Sequence, residues 1–136
     1  MLPSEAPATL AAAFAQRLVA RDNPPPPPPL SQEPAAVQAR LETWLATQHA
    51  VRDVRSRGRL ARMLLALMQA PECPPADLRH AAGLTERAAG RSSQRLQALG
   101  LAVWEQRSYY RYWRLTRAAE DALLLVVAGP PQPRNT

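Results

Sequence analysis

At 136 residues the chain is long enough for one domain with extensions and too short for two full ones. A single Cys excludes an internal disulfide and a multi-Cys zinc site. The start MLPSEAPATLAAAFAQ lacks the basic opening of an export signal, and no apolar run approaches bilayer length, so a cytoplasmic location without membrane association is expected.

The net charge is +6, but it is concentrated: Arg52 to Arg117 holds 13 Arg against five carboxylates, a net of +8, while both flanks are slightly acidic. Coding bias in a GC-rich genome explains why all 17 basic residues are Arg, yet it does not explain their clustering. A compact basic segment is the electrostatic footprint of a phosphate-backbone binder.

In chain order, Ala8 to Ala20 places Leu10, Phe14 and Leu18 on one helical face. The spacing predicts a short helix, either a loosely packed tail or a docking element for a protein partner. Pro24 to Pro29 is an unbroken proline run, which excludes helix and central strand and predicts an extended polyproline spacer of about 3.1 Å per residue. Residues 1–33 are thus expected to be a tail, 34–128 the folded domain, and 129–136 a disordered end.

From Pro34 to Ser56, Val37, Leu41, Trp44, Leu45, Val51 and Val54 recur at helical spacing and predict one long amphipathic helix. Gly58 is expected to break the chain before a core helix carrying Leu60, Met63, Leu64, Leu67 and Met68, which ends at Pro71. Arg52, Arg55, Arg57, Arg59 and Arg62 crowd its start, either touching phosphates or forming a solvated face.

Pro75 to Ala82 reads as a short helix stopped by Gly83, the residue type that best tolerates a left-handed turn. Leu84 re-enters the core, Thr85 caps a second helix over Glu86 to Leu99, and Gly100 stops it. Ala89, Ser92, Ser93, Leu96 and Leu99 fall on one face; Glu86, Arg87, Gly90, Arg91, Gln94 and Arg95 fall on the other.

The runs LAVWEQ and YYRYWRL predict a hairpin joined at Arg107-Ser108. Its aromatics, Trp104, Tyr109, Tyr110, Tyr112 and Trp113, are read as packing over the helical core in preference to stacking on bases. Thr116 caps a last helix in which Leu123 to Val127 is apolar on every side. That surface needs cover, either from the 34–56 helix of the same chain or from a second copy in a homodimer.

The stretch LTERAAGRSSQRLQALGLA followed by YYRYWRLT resembles the MarR and ArsR winged-helix transcription regulators, over about half the chain. The resemblance implies a mainly α fold with a small β-hairpin wing, a winged helix-turn-helix with N- and C-terminal helical extensions, and dimerisation through the terminal helices. It implies a sequence-specific binder of double-stranded DNA, with the helix from Glu86 in the major groove. Arg87 and Arg91 are then candidates for guanine contacts, Gln94 for adenine and Arg95 for phosphate. Thr85, Glu86 and Gly90 complete that surface, and Arg107 and Ser108 at the hairpin tip reach backbone or minor groove, while Arg111 and Arg114 only flank the aromatics. Gly90 departs from the family pattern, where a polar side chain is common; it either permits close approach or weakens the helix. The alternative is a winged-helix adaptor in a replication, partition or mobile-element complex, recruiting a protein through the N-terminal helix.

For chemistry the inventory is thin. His49 and His80 stand apart, Cys73 lies between Glu72 and Pro74, and neither a carboxylate pair nor a glycine-rich phosphate loop occurs. No enzyme, cofactor or metal is expected, and Cys73 is read as an inert loop cysteine.

Overall fold

A computed structural model describes residues 9–23 and 28–130. The first helix, α1 (Leu10–Asp22), belongs to a unit separate from the rest of the described chain. Thr9 caps it by accepting from the Ala12 amide at 3.1 Å, and Leu10 and Phe14 are exposed. Residues 24–27 of the proline run and 131–136 of the expected tail lie outside the described residues.

The second unit, Pro29–Pro131, carries α2 (Pro34–Gln48), α3 (Val54–Gln69), α4 (Pro75–Ala82), α5 (Glu86–Ala98), β1 (Ala102–Arg107), β2 (Tyr110–Leu115) and α6 (Arg117–Ala128). Its order is that of a winged helix-turn-helix with helical extensions, mainly α with one antiparallel hairpin. At the centre lies α3, which buries Leu60, Met63, Leu64 and Leu67 and touches α2, α4, α5 and β2. From outside, α2 adds Val37, Leu41 and Leu45, and α6 adds Ala119 and Leu123. A seam of aliphatic side chains at helical spacing is what holds such a bundle together.

The expected long helix over Pro34 to Ser56 is two elements, and the break falls at His49 to Asp53 instead of Gly58, which lies inside α3. The cause is tertiary. Ala50 takes φ 55, the Val51 amide donates back to the Leu45 carbonyl at 3.1 Å, and Val51 turns fully into the core while Val54 stays exposed. Asp53 then restarts the chain as the cap of α3, accepting from the Ser56 amide and hydroxyl at 3.1 and 2.8 Å. A methyl group at Gly58 would meet Glu42 Oε1 at 3.6 Å, an ordinary contact, so no steric need fixes glycine there.

The chain enters this unit through a clasp. Arg40 on α2 donates from Nε to the Val126 carbonyl at 3.1 Å and from Nη2 to the carbonyls of Val127, 3.1 Å, and Ser31, 2.7 Å. Gln32 adds a bond to the Val127 carbonyl at 3.1 Å. The carbonyls left over at the end of α6 are thereby satisfied by a cation, where the helix dipole favours one.

The hairpin departs from expectation by one residue. The connection is Ser108-Tyr109, with Arg107 opposite Tyr110. A turn at Arg107-Ser108 would set Trp104 opposite Arg111; the observed register sets Trp104 opposite Trp113 and Arg111 opposite Gln106, two residues nearer the tip and on the same face.

Candidate nucleic-acid interface

The helix-turn-helix is built by local chemistry. Gly83 takes the left-handed conformation at φ 66, its amide donating to the His80 carbonyl at 3.1 Å and the Leu84 amide to the Arg79 carbonyl at 3.0 Å. This is the hydrogen-bonded stop that glycine makes possible after a helix. Thr85 then accepts from the Ala88 amide at 3.2 Å and opens α5.

In α5 the buried face is Ala89, Ser92, Ser93 and Leu96. Ser93 donates its hydroxyl to the Ala89 carbonyl at 2.8 Å, which is how a polar side chain sits there without a partner from another element. Thr85, Glu86, Arg87, Gly90, Arg91, Gln94 and Arg95 are all exposed. The structure therefore brings the expected α5 residues onto one open face. Beside it, Arg62 of α3 reaches the turn: a methyl on Gly83 would lie 3.9 Å from its guanidinium. Arg59 and Arg62 each donate Nε to a carbonyl of their own helix, and the Nε of Arg57 is buried without a hydrogen-bond partner.

The wing is anchored at its base and loaded with aromatics toward its tip. Cys73 pairs with Trp113 of β2 in an isolated antiparallel bridge, with amide-to-carbonyl bonds of 2.9 and 2.8 Å in the two directions. Burial, and secondarily the Asp77 carboxylate, push the Cys73 thiol up, away from the thiolate that reactivity requires. Of the five aromatics, only Trp113 packs in the core. Tyr109 is 94% exposed, Tyr110 63% and Trp104 37%, which corrects the expectation that the hairpin aromatics form packing. The physical reason is length: β1 and β2 extend past the helical layer, so only their inner ends find core to cover.

Arg107 and Ser108 do lie at the end of the hairpin, but Arg107 is already engaged. Its guanidinium pairs with both oxygens of Glu72, Nη1 to Oε2 at 2.7 Å, and with Glu105 at 3.3 Å, and lies 5.8 Å from the Tyr112 ring centre. The Glu72 carboxylate holds its pKa above the usual arginine value.

Arg111, set aside by sequence reasoning, stands elsewhere. Directly opposed residues of an antiparallel pair share a face, so Trp104, Trp113, Gln106 and Arg111 project together from the hairpin. Arg111 lies over the Trp104 ring at 4.4 Å. The two line an open cleft of about 540 Å³ whose opposite wall is α5, with Glu86, Gly90 and Gln94. The alternation of the strand carried this signal; the missing piece was what the face looks onto.

Among the described residues, no three His, Cys, Asp or Glu side chains gather as a metal site, and no helix is long and apolar enough to cross a membrane.

No family model matches the sequence, and no curated protein matches it either. The fold is similar to that of a MarR family transcriptional regulator from Silicibacter pomeroyi, with 19% identity, 91% of this chain and 75% of that chain covered, and a TM-score of 0.52. It is likewise similar to a MarR family protein from Bacillus stearothermophilus, with 14% identity, 86% and 71% covered, and a TM-score of 0.50. The likeness establishes a shared winged-helix fold.

Proposed function

We propose that this chain is a sequence-specific regulator of transcription that binds double-stranded DNA. The observation that carries the reading is the open face of α5, where Arg87, Arg91, Gln94 and Arg95 stand free beside a hairpin wing. In this reading α5 enters the major groove, Arg87 and Arg91 meet guanine, Gln94 meets adenine and Arg95 a phosphate. Thr85, Glu86 and Gly90 flank the contact, and the wing near Arg107 and Ser108 approaches backbone or minor groove. Residues 34–128 act as the DNA-binding domain, working in the cytoplasm without catalysis.

The working unit is a homodimer. Leu124 and Leu125 of α6 are 66% and 54% exposed, with Leu124 beside Leu67 and Met68 at the end of α3, apolar surface suited to an isologous contact. Leu125→Glu is expected to leave the fold intact and shift sedimentation from dimer to monomer; an unchanged dimer refutes this interface. By itself, α1 presents Leu10 and Phe14 and is assigned as a docking element for a protein partner, to be tested by deleting the tail.

The deciding experiment is selection of bound fragments from sheared genomic DNA at about 0.15 M salt, where nonspecific charge binding is partly screened. An inverted repeat with half-sites about one helical turn apart is expected. A flat profile from retained DNA refutes sequence reading, and no retention refutes DNA binding. Arg87→Ala should relax one base position at a cost of about 1–3 kcal/mol, whereas uniform weakening on all sequences would make Arg87 a phosphate contact.

A further inference from the structure

We infer that the cleft between α5 and the wing is the seat of a DNA backbone phosphodiester, with Gly90 as its floor and Arg111, held on Trp104, as its cation. The inference rests on the DNA-binding reading and adds Arg111, Trp104 and Arg79, which that reading does not use, while giving Gly90 a definite part in it.

The first step is geometric. The major and minor grooves of a duplex are separated by one sugar-phosphate strand, so a protein that places a helix in one and a hairpin in the other must straddle that strand. Whatever lies between α5 and the wing therefore faces backbone. In this molecule the space is the cleft of about 540 Å³, roomy and open to solvent.

Chemistry points the same way. Arg107, the cation nearest the wing tip, is neutralised by Glu72 and Glu105, leaving Arg111 on the cleft side without a carboxylate partner among the described residues. The Trp104 ring holds its guanidinium at 4.4 Å, and a planar fork fixed beforehand loses less freedom on meeting phosphate oxygens. Arg79 joins from α4; of the α5 residues lining the same cleft, Gln94 is the one given to adenine and the Glu86 carboxylate opposes an anion.

Gly90 supplies the independent observation. It sits mid-helix, where glycine costs stability, yet a methyl group added there would meet nothing within 4 Å. The fold thus has no packing need for glycine at this place, and the space above it stays open toward the wing. A backbone strand passing through the cleft would use that space.

Two variants test this on the full chain, by fluorescence anisotropy with the selected duplex and with a random duplex across a salt series, alongside thermal melts. Arg111→Gln should bind both duplexes more weakly, make the log-affinity against log-salt slope shallower by about one, and leave the melt unchanged. Gly90→Ala should raise the melting temperature while weakening DNA binding, a pairing of opposite signs that simple loss of structure does not produce. An unchanged slope and affinity in Arg111→Gln, or Gly90→Ala binding as tightly as the parent chain, overturns the seat while leaving DNA binding standing. Failure of the parent chain to bind either duplex overturns both.

Discussion

Ser108 occupies the first position of a two-residue hairpin connection at φ 55, a region where a side chain costs energy and glycine does not. The neighbouring residue is Tyr109, whose φ is not positive, so Ser108 alone is placed where glycine would be easier. Ser108→Gly is expected to raise stability by up to about 1 kcal/mol, less the added freedom of the unfolded chain, as a higher urea midpoint. A lower midpoint would show that the serine side chain contributes to the turn. Gly83 and Thr85 are the converse case, each legible from the sequence because its role is settled within four residues; Thr116 was legible as a cap, while its hydroxyl also donates to the Gly100 carbonyl at 2.8 Å. Arg107 was legible in place and illegible in state, since its partner Glu72 lies 35 residues away.

Among the elements, α3 shows how a cap couples stability to pH. Asp53 accepts from the Ser56 hydroxyl and amide, and these bonds favour its ionised form, holding its pKa below the usual carboxylate value. Because the folded pKa is the lower one, the contribution is complete above the unfolded carboxylate range and is lost as pH falls through the folded value. Asp53→Asn keeps a capping oxygen but removes the titration, so its acid-unfolding curve should flatten relative to the parent chain over that window; an identical curve would discount the cap. Burial against Trp44 also lowers the His49 pKa, so protonation at mildly acidic pH destabilises the same α2–α3 junction. That junction was the least legible part of the fold. It contains neither Gly nor Pro, and Val51 keeps helical spacing with the apolar residues before it even though the chain has left the helix.

At the scale of the whole molecule, Arg40 ties three segments distant in sequence: the entry at Ser31, the helix α2 and the end of α6. Its Ala variant leaves three carbonyls without their cationic donor, and a loss of about 1.5–3 kcal/mol is expected by chemical denaturation. Arg40→Lys should recover only part, since an ammonium lacks the planar fork that spans these acceptors. A negligible loss in the Ala variant would mean that water replaces the clasp. The same α6 that Arg40 holds at its end exposes Leu124 and Leu125 along its length, so clasp and dimer surface belong to one element.

The amino-acid sequence by itself determined the helix-turn-helix, the hairpin, the last helix and the two faces of α5, because periodicity, caps and turn residues act over a few positions. Tertiary structure alone decided where α2 ends, which aromatics are buried, that Arg107 is paired and that Arg111 faces α5. Those outcomes depend on which surface each segment meets, and an apolar or cationic residue carries no record of its partner until the chain has folded back upon itself.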